Sequence, residues 1–127
     1  MAELMNNKEK MVHWTKTTGV LPAIKIKAHD DMIPYIKAMV DGGAKVVEIT
    51  TTTPGAFEHY KTISEYFGDA VALASGTTLD ETTARLAILA GVKIVVSPAT
   101  IPAVIKTANR YGAAVFIGAF TATEVLS

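Results

Sequence analysis

The stretch Lys45-Val-Val-Glu-Ile-Thr-Thr-Thr-Thr-Pro54 decides which fold the sequence predicts. Val46, Val47 and Ile49 form an apolar run of the kind that fills a parallel strand buried on both faces. Pro54 and the glycine after it then end the strand and open a loop. The stretch therefore predicts a central strand of a parallel sheet.

Glu48 places a carboxylate inside this apolar run. A buried carboxylate is costly unless it is paired, hydrogen-bonded or protonated, and acids with shifted pKa values concentrate at active sites. Four threonines follow Glu48 and bring small hydroxyl donors to the end of the strand. The pattern favours a site for an anionic substrate. The alternative is an acid paired with a nearby lysine for packing.

The sequence on both sides of this stretch repeats one unit, an apolar strand that passes into a helix. Strict alternation of this kind implies a parallel sheet with right-handed crossovers, and such sheets bind ligands at the carboxyl ends of their strands. The strands are predicted at 20–26, at the opening stretch up to Pro54, and at 71–74, 94–96 and 114–117. The helices are predicted at 7–16, from the cap His29-Asp30-Asp31 to Gly42-Gly43, at 56–67, from Asp80 through Leu86 and Leu89 to Gly91, from Pro102 to Gly112, and from Thr123-Glu124 onwards.

Two α/β architectures fit five such units. One is an open, flavodoxin-like parallel sheet, and the other is the N-terminal five βα units of a TIM (β/α)8 barrel, preceded by a short N-terminal helix. The last predicted helix has only its first turn within the sequence, which favours the barrel. We therefore expect residues 1–127 to form a single, partial barrel domain.

Composition narrows the function classes. The 127 residues are 50% apolar and 19% charged with zero net charge, and Arg85 and Arg110 are the only arginines, so a nucleic-acid partner is not expected. No apolar run reaches the length of a membrane span. The N-terminus is polar, and the sequence contains no cysteine, which together predict a cytoplasmic protein. No glycine-rich nucleotide motif occurs. The three histidines, His13, His29 and His59, are scattered, so no metal site is expected.

Four short motifs stand at predicted strand ends: Val47-Glu48-Ile49-Thr50, Ser75-Gly76-Thr77, Val96-Ser97-Pro98 and Gly118-Ala-Phe-Thr-Ala-Thr-Glu124. In order and spacing they resemble the bacterial aldolases for 2-keto-3-deoxy-6-phosphogluconate (KDPG) and 4-hydroxy-2-oxoglutarate (KHG), from about residue 19 to residue 127. The resemblance implies a (β/α)8 barrel that assembles as a homotrimer and needs no cofactor. It also implies a class I lyase that cleaves a 2-keto acid reversibly, through a lysine Schiff base, to pyruvate and glyceraldehyde 3-phosphate or glyoxylate.

The resemblance also implies roles for individual residues. Glu48 matches the glutamate that moves protons, and Thr77, beside Gly76, matches the threonine that helps to hold the pyruvate carboxylate. Pro98 matches the proline that shapes the same pocket, and Gly118 matches a glycine at the end of strand five. Elementary chemistry agrees, because a buried acid can have its pKa raised towards working pH and a glycine lets backbone N–H groups approach a carboxylate.

The sequence departs from the family pattern in two places. Thr52 stands where some members carry an arginine; it is a candidate substrate contact without a positive charge, so anion binding must come from elsewhere. Lys25 matches an arginine that contacts substrate anions in some members. The Schiff-base lysine lies on strand six of the family, beyond the five strands predicted here, and only Lys25 and Lys27 stand at a strand end that could face the barrel mouth.

Three interpretations of the function remain open on the sequence. The first is part of a Schiff-base aldolase, and the second is a truncated, non-catalytic module that binds an anion or assembles. The third is an open flavodoxin-like domain of unrelated function. Five strands alone cannot close an eight-stranded barrel, so we expect two bare sheet edges. Because the expected Schiff-base lysine is missing from these residues, we also expect no aldolase activity from them alone. The expected interior face carries Ala23 or Ile24, Val46, Val95 and Phe116.

Overall fold

A computed structural model of the chain describes residues 5–25, 27 and 31–127. Within this part, five parallel strands alternate with helices. The strands are β1 Ala23–Ile24, β2 Val46–Thr50, β3 Ala72–Gly76, β4 Ile94–Ser97 and β5 Ala114–Ile117. The helices are α1 Asn7–Thr18, α2 Ile33–Asp41, α3 Ala56–Phe67, α4 Glu81–Leu89, α5 Pro102–Arg110 and α6 Ala122–Leu126.

The order of the strands decides between the two predicted architectures. The strands lie side by side as β1-β2-β3-β4-β5, and every pair is parallel. A flavodoxin-like sheet has the order 2-1-3-4-5, because its chain reverses direction across the sheet. The consecutive order is that of a barrel, so the prediction of five barrel βα units is confirmed and the flavodoxin-like alternative is wrong.

Side chains on the strands alternate between two faces of the sheet. On the outer face, Val47, Ile49 and Leu73 pack with Ile36 of α2 and Ile63 of α3. The opposite face, which we call the inner face, is covered in part by Met11 and Trp14 of α1. Its members are Val46, Ala72, Ala74, Ile94, Val96, Ala114 and Phe116.

The predicted inner face is right at Val46 and Phe116 but wrong at Val95. Val95 is fully buried on the outer face, where it packs with Ala84 of α4 and Val104 of α5. Ile94 and Val96, its neighbours in β4, carry the inner face instead. Three consecutive apolar residues hide the alternation that shows which of them points inward.

Strand β1 is shorter than predicted, whereas helix α4 lies where it was predicted but buries small side chains. Within the described residues β1 covers only Ala23–Ile24, and Ile24 packs on the outer face. In α4 the buried residues are alanines, whereas Leu86 and Leu89 are 48% and 62% exposed. The fully buried residues of α4 are therefore small, Ile88 packs against the core in part, and the two leucines lie on the outside.

Helix α4 begins at its predicted cap, whereas α2 begins one residue later than its predicted cap places it. The Asp80 carboxylate accepts a hydrogen bond of 2.7 Å from the Thr83 N–H, and the bonds from Thr83 hold the pKa of Asp80 below its ordinary value. Pro34 lies in the first turn of α2, as predicted. Of the predicted cap His29-Asp30-Asp31, only Asp31 is described: the N-cap of α2 is Met32, and the Asp31 carboxylate accepts a hydrogen bond of 2.9 Å from the Ile33 N–H.

Candidate active site at the carboxyl ends of the strands

Glu48 lies in the middle of β2, at the register position opposite Ala23 of β1 and Ala74 of β3. Val47 and Ile49, on either side of it, pack on the outer face. The Glu48 side chain therefore lies on the inner face of the sheet. Its carboxylate rests on Gly76: a Cβ atom built at Gly76 would lie 2.0 Å from Glu48 Oε1. The backbone of β3 therefore leaves room for this carboxylate only because residue 76 has no side chain.

The Glu48 carboxylate is half-buried, and no lysine, arginine or histidine in the described part of the chain lies within ion-pair distance of it. The expected alternative, an acid paired with a lysine, is therefore not what the structure shows there. Burial alone raises the pKa of Glu48 above its ordinary value, because removal from water disfavours the charged form. Burial, and to a smaller extent the negative charge of Glu48, raises the pKa of the Tyr60 phenol as well.

The raised pKa of Glu48 predicts how stability changes with pH. The folded protein holds this proton more tightly than the unfolded chain, in which the pKa is about 4.5, so the contribution of Glu48 to stability falls as pH rises from 4.5 through the folded-state pKa. We expect Glu48→Gln to have a higher Tm than the parent protein near pH 7, and the difference to vanish below about pH 4. Thermal unfolding followed by circular dichroism across this range measures it; a difference that grows towards acid would contradict the assignment.

The loop after β3 is held in place by hydrogen bonds to both neighbouring strands. The Thr51 N–H donates to the Gly76 carbonyl at 2.8 Å, and the Thr78 N–H donates to the Val96 carbonyl at 3.0 Å. The buried hydroxyls of Ser75 and Thr78 lie 3.1 Å apart. Thr77, half-buried between these anchors, directly follows Gly76, the residue that the Glu48 carboxylate contacts.

The loops after β4 and β5 lie against each other. A Cβ atom at Gly118 would lie 2.3 Å from the Pro98 carbonyl oxygen, so only glycine allows this approach. The Gly118 N–H donates to the Ser97 carbonyl at 2.8 Å, and the Thr100 hydroxyl donates to the Gly118 carbonyl at 3.0 Å. The strand-end residues predicted from the motifs thus fall into two contacts, Glu48 with Gly76 and Pro98 with Gly118.

Thr52 and Lys25 take part in neither of these two contacts. Thr52 is exposed, and its hydroxyl lies 3.1 Å from the hydroxyl of Thr50, which is also 3.1 Å from that of Thr53. Lys25 is exposed just beyond the end of β1. Both residues lie at the carboxyl edge of the sheet, where a bound molecule could reach them, and their roles as substrate contacts stay predictions.

Thr51 is the member of this site that the sequence did not single out. Its hydroxyl donates to the Thr77 carbonyl at 2.9 Å, across a sequence separation of 26 residues. Within the run of four threonines nothing distinguishes it from its neighbours. Only the pairing of β2 with β3 reveals that this hydroxyl reaches the next strand.

Among residues 5–25, 27 and 31–127, no group of three or more histidine, aspartate and glutamate side chains could hold a metal ion. In the same part of the chain, every helix is too short or too polar to cross a membrane.

Comparison with known proteins agrees with the motifs. A 2-dehydro-3-deoxy-phosphogluconate aldolase of Treponema pallidum (strain Nichols) is 32% identical over 106 residues, which cover 84% of this chain and 50% of that protein. A KHG/KDPG aldolase of Escherichia coli (strain K12) is 29% identical over 111 residues, 87% of this chain and 52% of that protein. The chain thus spans about half the length of the curated relatives that it matches.

A solved structure gives the same result for the fold. The crystal structure of the 2-keto-3-deoxy-6-phosphogluconate aldolase of Zymomonas mobilis ZM4 with 3-phosphoglycerate superposes with a TM-score of 0.82 at 28% identity, and covers 94% of this chain and 56% of that one. The family model described as "Aldolase: KDPG and KHG aldolase" matches residues 11–127. The chain therefore belongs to the KDPG and KHG aldolase family.

Proposed function

We propose that the protein is a class I aldolase. It cleaves a 2-keto acid of the KDPG or KHG type, reversibly and through a lysine Schiff base, to pyruvate and an aldehyde, glyceraldehyde 3-phosphate or glyoxylate. Residues 1–127 contribute five βα units to its barrel domain. The observation that supports this most is Glu48, an acid on the inner face whose carboxylate touches Gly76 and whose pKa is raised by burial.

In this proposal Glu48 moves the protons of the reaction. An acid whose pKa lies close to working pH can both accept and return a proton, and burial without a cationic neighbour shifts Glu48 in that direction. Its place beside Gly76 brings it to the loop that carries the Thr77 hydroxyl. The substrate is held by residues at the ends of all five strands: Lys25, Thr52, Gly76, Thr77, Pro98 and Gly118.

The remaining parts of the proposal concern the whole protein. Its partner is a small 2-keto acid rather than nucleic acid or a membrane, it works in the cytoplasm, and it assembles as a homotrimer. It uses no metal and no other cofactor. The Schiff-base lysine lies on strand six of the barrel, next to β5.

Reduction with borohydride in the presence of pyruvate tests the proposal on the protein expressed from its complete gene. A Schiff base becomes a stable amine under these conditions, so we expect a covalent gain of one reduced pyruvate per chain. Peptide mass mapping then locates the modified lysine, which we expect on the strand that follows β5. An adduct on Lys25 would move the Schiff base to strand one, and no adduct at all would favour the non-catalytic module.

Replacing Lys25 with methionine tests its proposed contact with a substrate anion. Lys25 is exposed, so it acts as a point charge in a largely aqueous site. We expect KM for the 2-keto acid to rise by about threefold to tenfold, with kcat changed little, and the increase to shrink at high salt. Steady-state kinetics at two salt concentrations measure both effects. Lys61→Met, on the exposed side of α3, is the control, and an unchanged KM in Lys25→Met would remove the binding role.

A further inference from the structure

Thr77 has an unusual backbone conformation. Its φ is 56°, and within the described residues it is the only residue other than glycine with a positive φ. A β-branched side chain is disfavoured in this left-handed region, so the surrounding structure must hold the residue there. Strained residues of this kind cluster at ligand clamps and at active sites.

The strained conformation of Thr77 changes the direction in which its carbonyl group points. Along a regular strand, successive carbonyls point to opposite neighbouring strands. Here the carbonyls of Gly76 and Thr77 both accept hydrogen bonds from the same residue, Thr51, just beyond the end of β2. The left-handed turn at Thr77 is what directs the second carbonyl back towards β2.

Thr51 supplies both of those bonds with different atoms. Its N–H donates to Gly76 at 2.8 Å and its hydroxyl donates to Thr77 at 2.9 Å. The hydroxyls of Thr50, Thr52 and Thr53 bond only with one another among the described side chains. Thr51 is therefore the one threonine of the run whose side chain fixes the neighbouring loop.

We propose that Thr51 is a positioning residue for the substrate carboxylate. It holds the Thr77 backbone in the left-handed conformation and so sets the direction of the Thr77 hydroxyl, without touching the substrate itself. This inference rests on the proposed function, in which Thr77 binds the carboxylate of pyruvate or of the 2-keto acid. The proposed role depends on a single hydroxyl group, that of Thr51, so replacement by a side chain of the same shape without the hydroxyl tests it.

The test compares Thr51→Val, which removes the hydroxyl at nearly constant shape, with Thr51→Ser, which keeps it. Pyruvate binding to the purified full-length protein is measured by calorimetry, and kcat and KM are measured for the 2-keto acid. We expect Thr51→Val to bind pyruvate about tenfold more weakly and to raise KM with kcat changed little, because one hydrogen bond is lost. Thr51→Ser should stay within about twofold of the parent protein.

Thr62→Val is the matched control, since Thr62 is exposed on α3. It should leave binding unchanged, and Thr51→Ala replaces Thr51→Val if the valine variant does not fold. If the parent protein binds pyruvate and Thr51→Val binds it equally well, the positioning role is overturned while the proposed function stands. If Thr51→Ser loses as much affinity as Thr51→Val, the hydroxyl is not the cause. If the parent protein itself binds no pyruvate, the proposed function fails and this role fails with it.

Discussion

Replacing Glu48 with glutamine should lower turnover by about two to four orders of magnitude and leave the fold intact. The amide has nearly the shape of the carboxylic acid but can neither accept nor return a proton at working pH. Because no cationic partner in the described part of the chain depends on the charge of Glu48, its removal leaves no uncompensated ion. The loss should therefore appear in kcat and not in folding.

Proton transfer can be measured apart from carbon–carbon cleavage. Exchange of the pyruvate methyl protons with deuterium oxide, followed by NMR, reports proton transfer alone, while borohydride trapping reports the Schiff base. We expect Glu48→Gln to lose the exchange and to keep the trapping. Glu65→Gln, at an exposed position of α3, makes the same charge change away from the site and should be neutral. Normal exchange in Glu48→Gln would show that another group carries the protons.

Replacing Gly76 with alanine should reduce turnover by about a hundredfold through displacement of Glu48. The new Cβ would lie 2.0 Å from Glu48 Oε1 and 2.8 Å from its Cδ, closer than atoms can approach. The colliding group is the end of a flexible side chain, so the carboxylate can swing aside and the backbone need not move. We therefore expect a folded protein whose acid is out of place.

Gly42→Ala is the control for adding a methyl group elsewhere. Gly42 has a φ of −77°, and a Cβ there would lie 3.4 Å from its nearest neighbours, so alanine should fit at little cost. Both variants should unfold cooperatively near the temperature of the parent protein, and only Gly76→Ala should lose activity. A fully active Gly76→Ala would show that the observed position of Glu48 is not the one used in the reaction.

Some of this arrangement could be predicted from residues alone. The sequence predicts that the Glu48 side chain lies on the same face of the sheet as Val46, because side chains two residues apart in a strand share a face. Helix boundaries followed from side chains that bond to nearby backbone, such as Asp80. The prediction was wrong at Val95, because both of its neighbours are apolar too and the sequence does not show which of the three side chains points inward.

The contacts that build the site could not be predicted in the same way. The approach of Glu48 to Gly76 and the bond from Thr51 to Thr77 depend on how β2 is aligned with β3. Local patterns do not specify that alignment, nor which strands are neighbours, since barrels and open sheets share the same alternation of strand and helix. The strained backbone of Thr77 likewise has no signal in residue type, because glycine or asparagine would be the usual choice there.

The consecutive order of the strands bears on how the chain folds as it is synthesised. Each of β2 to β5 finds its partner in the strand that left the ribosome just before it, so the sheet can grow one unit at a time without waiting for distant sequence. Helix α1 is the exception. It is made first, yet Lys8 bonds to Asn109 of α5 and Met11 packs with Ala114 of β5, so its final docking must await α5 and β5. We expect the amides of α1 to gain protection from hydrogen exchange after those of β2 and β3.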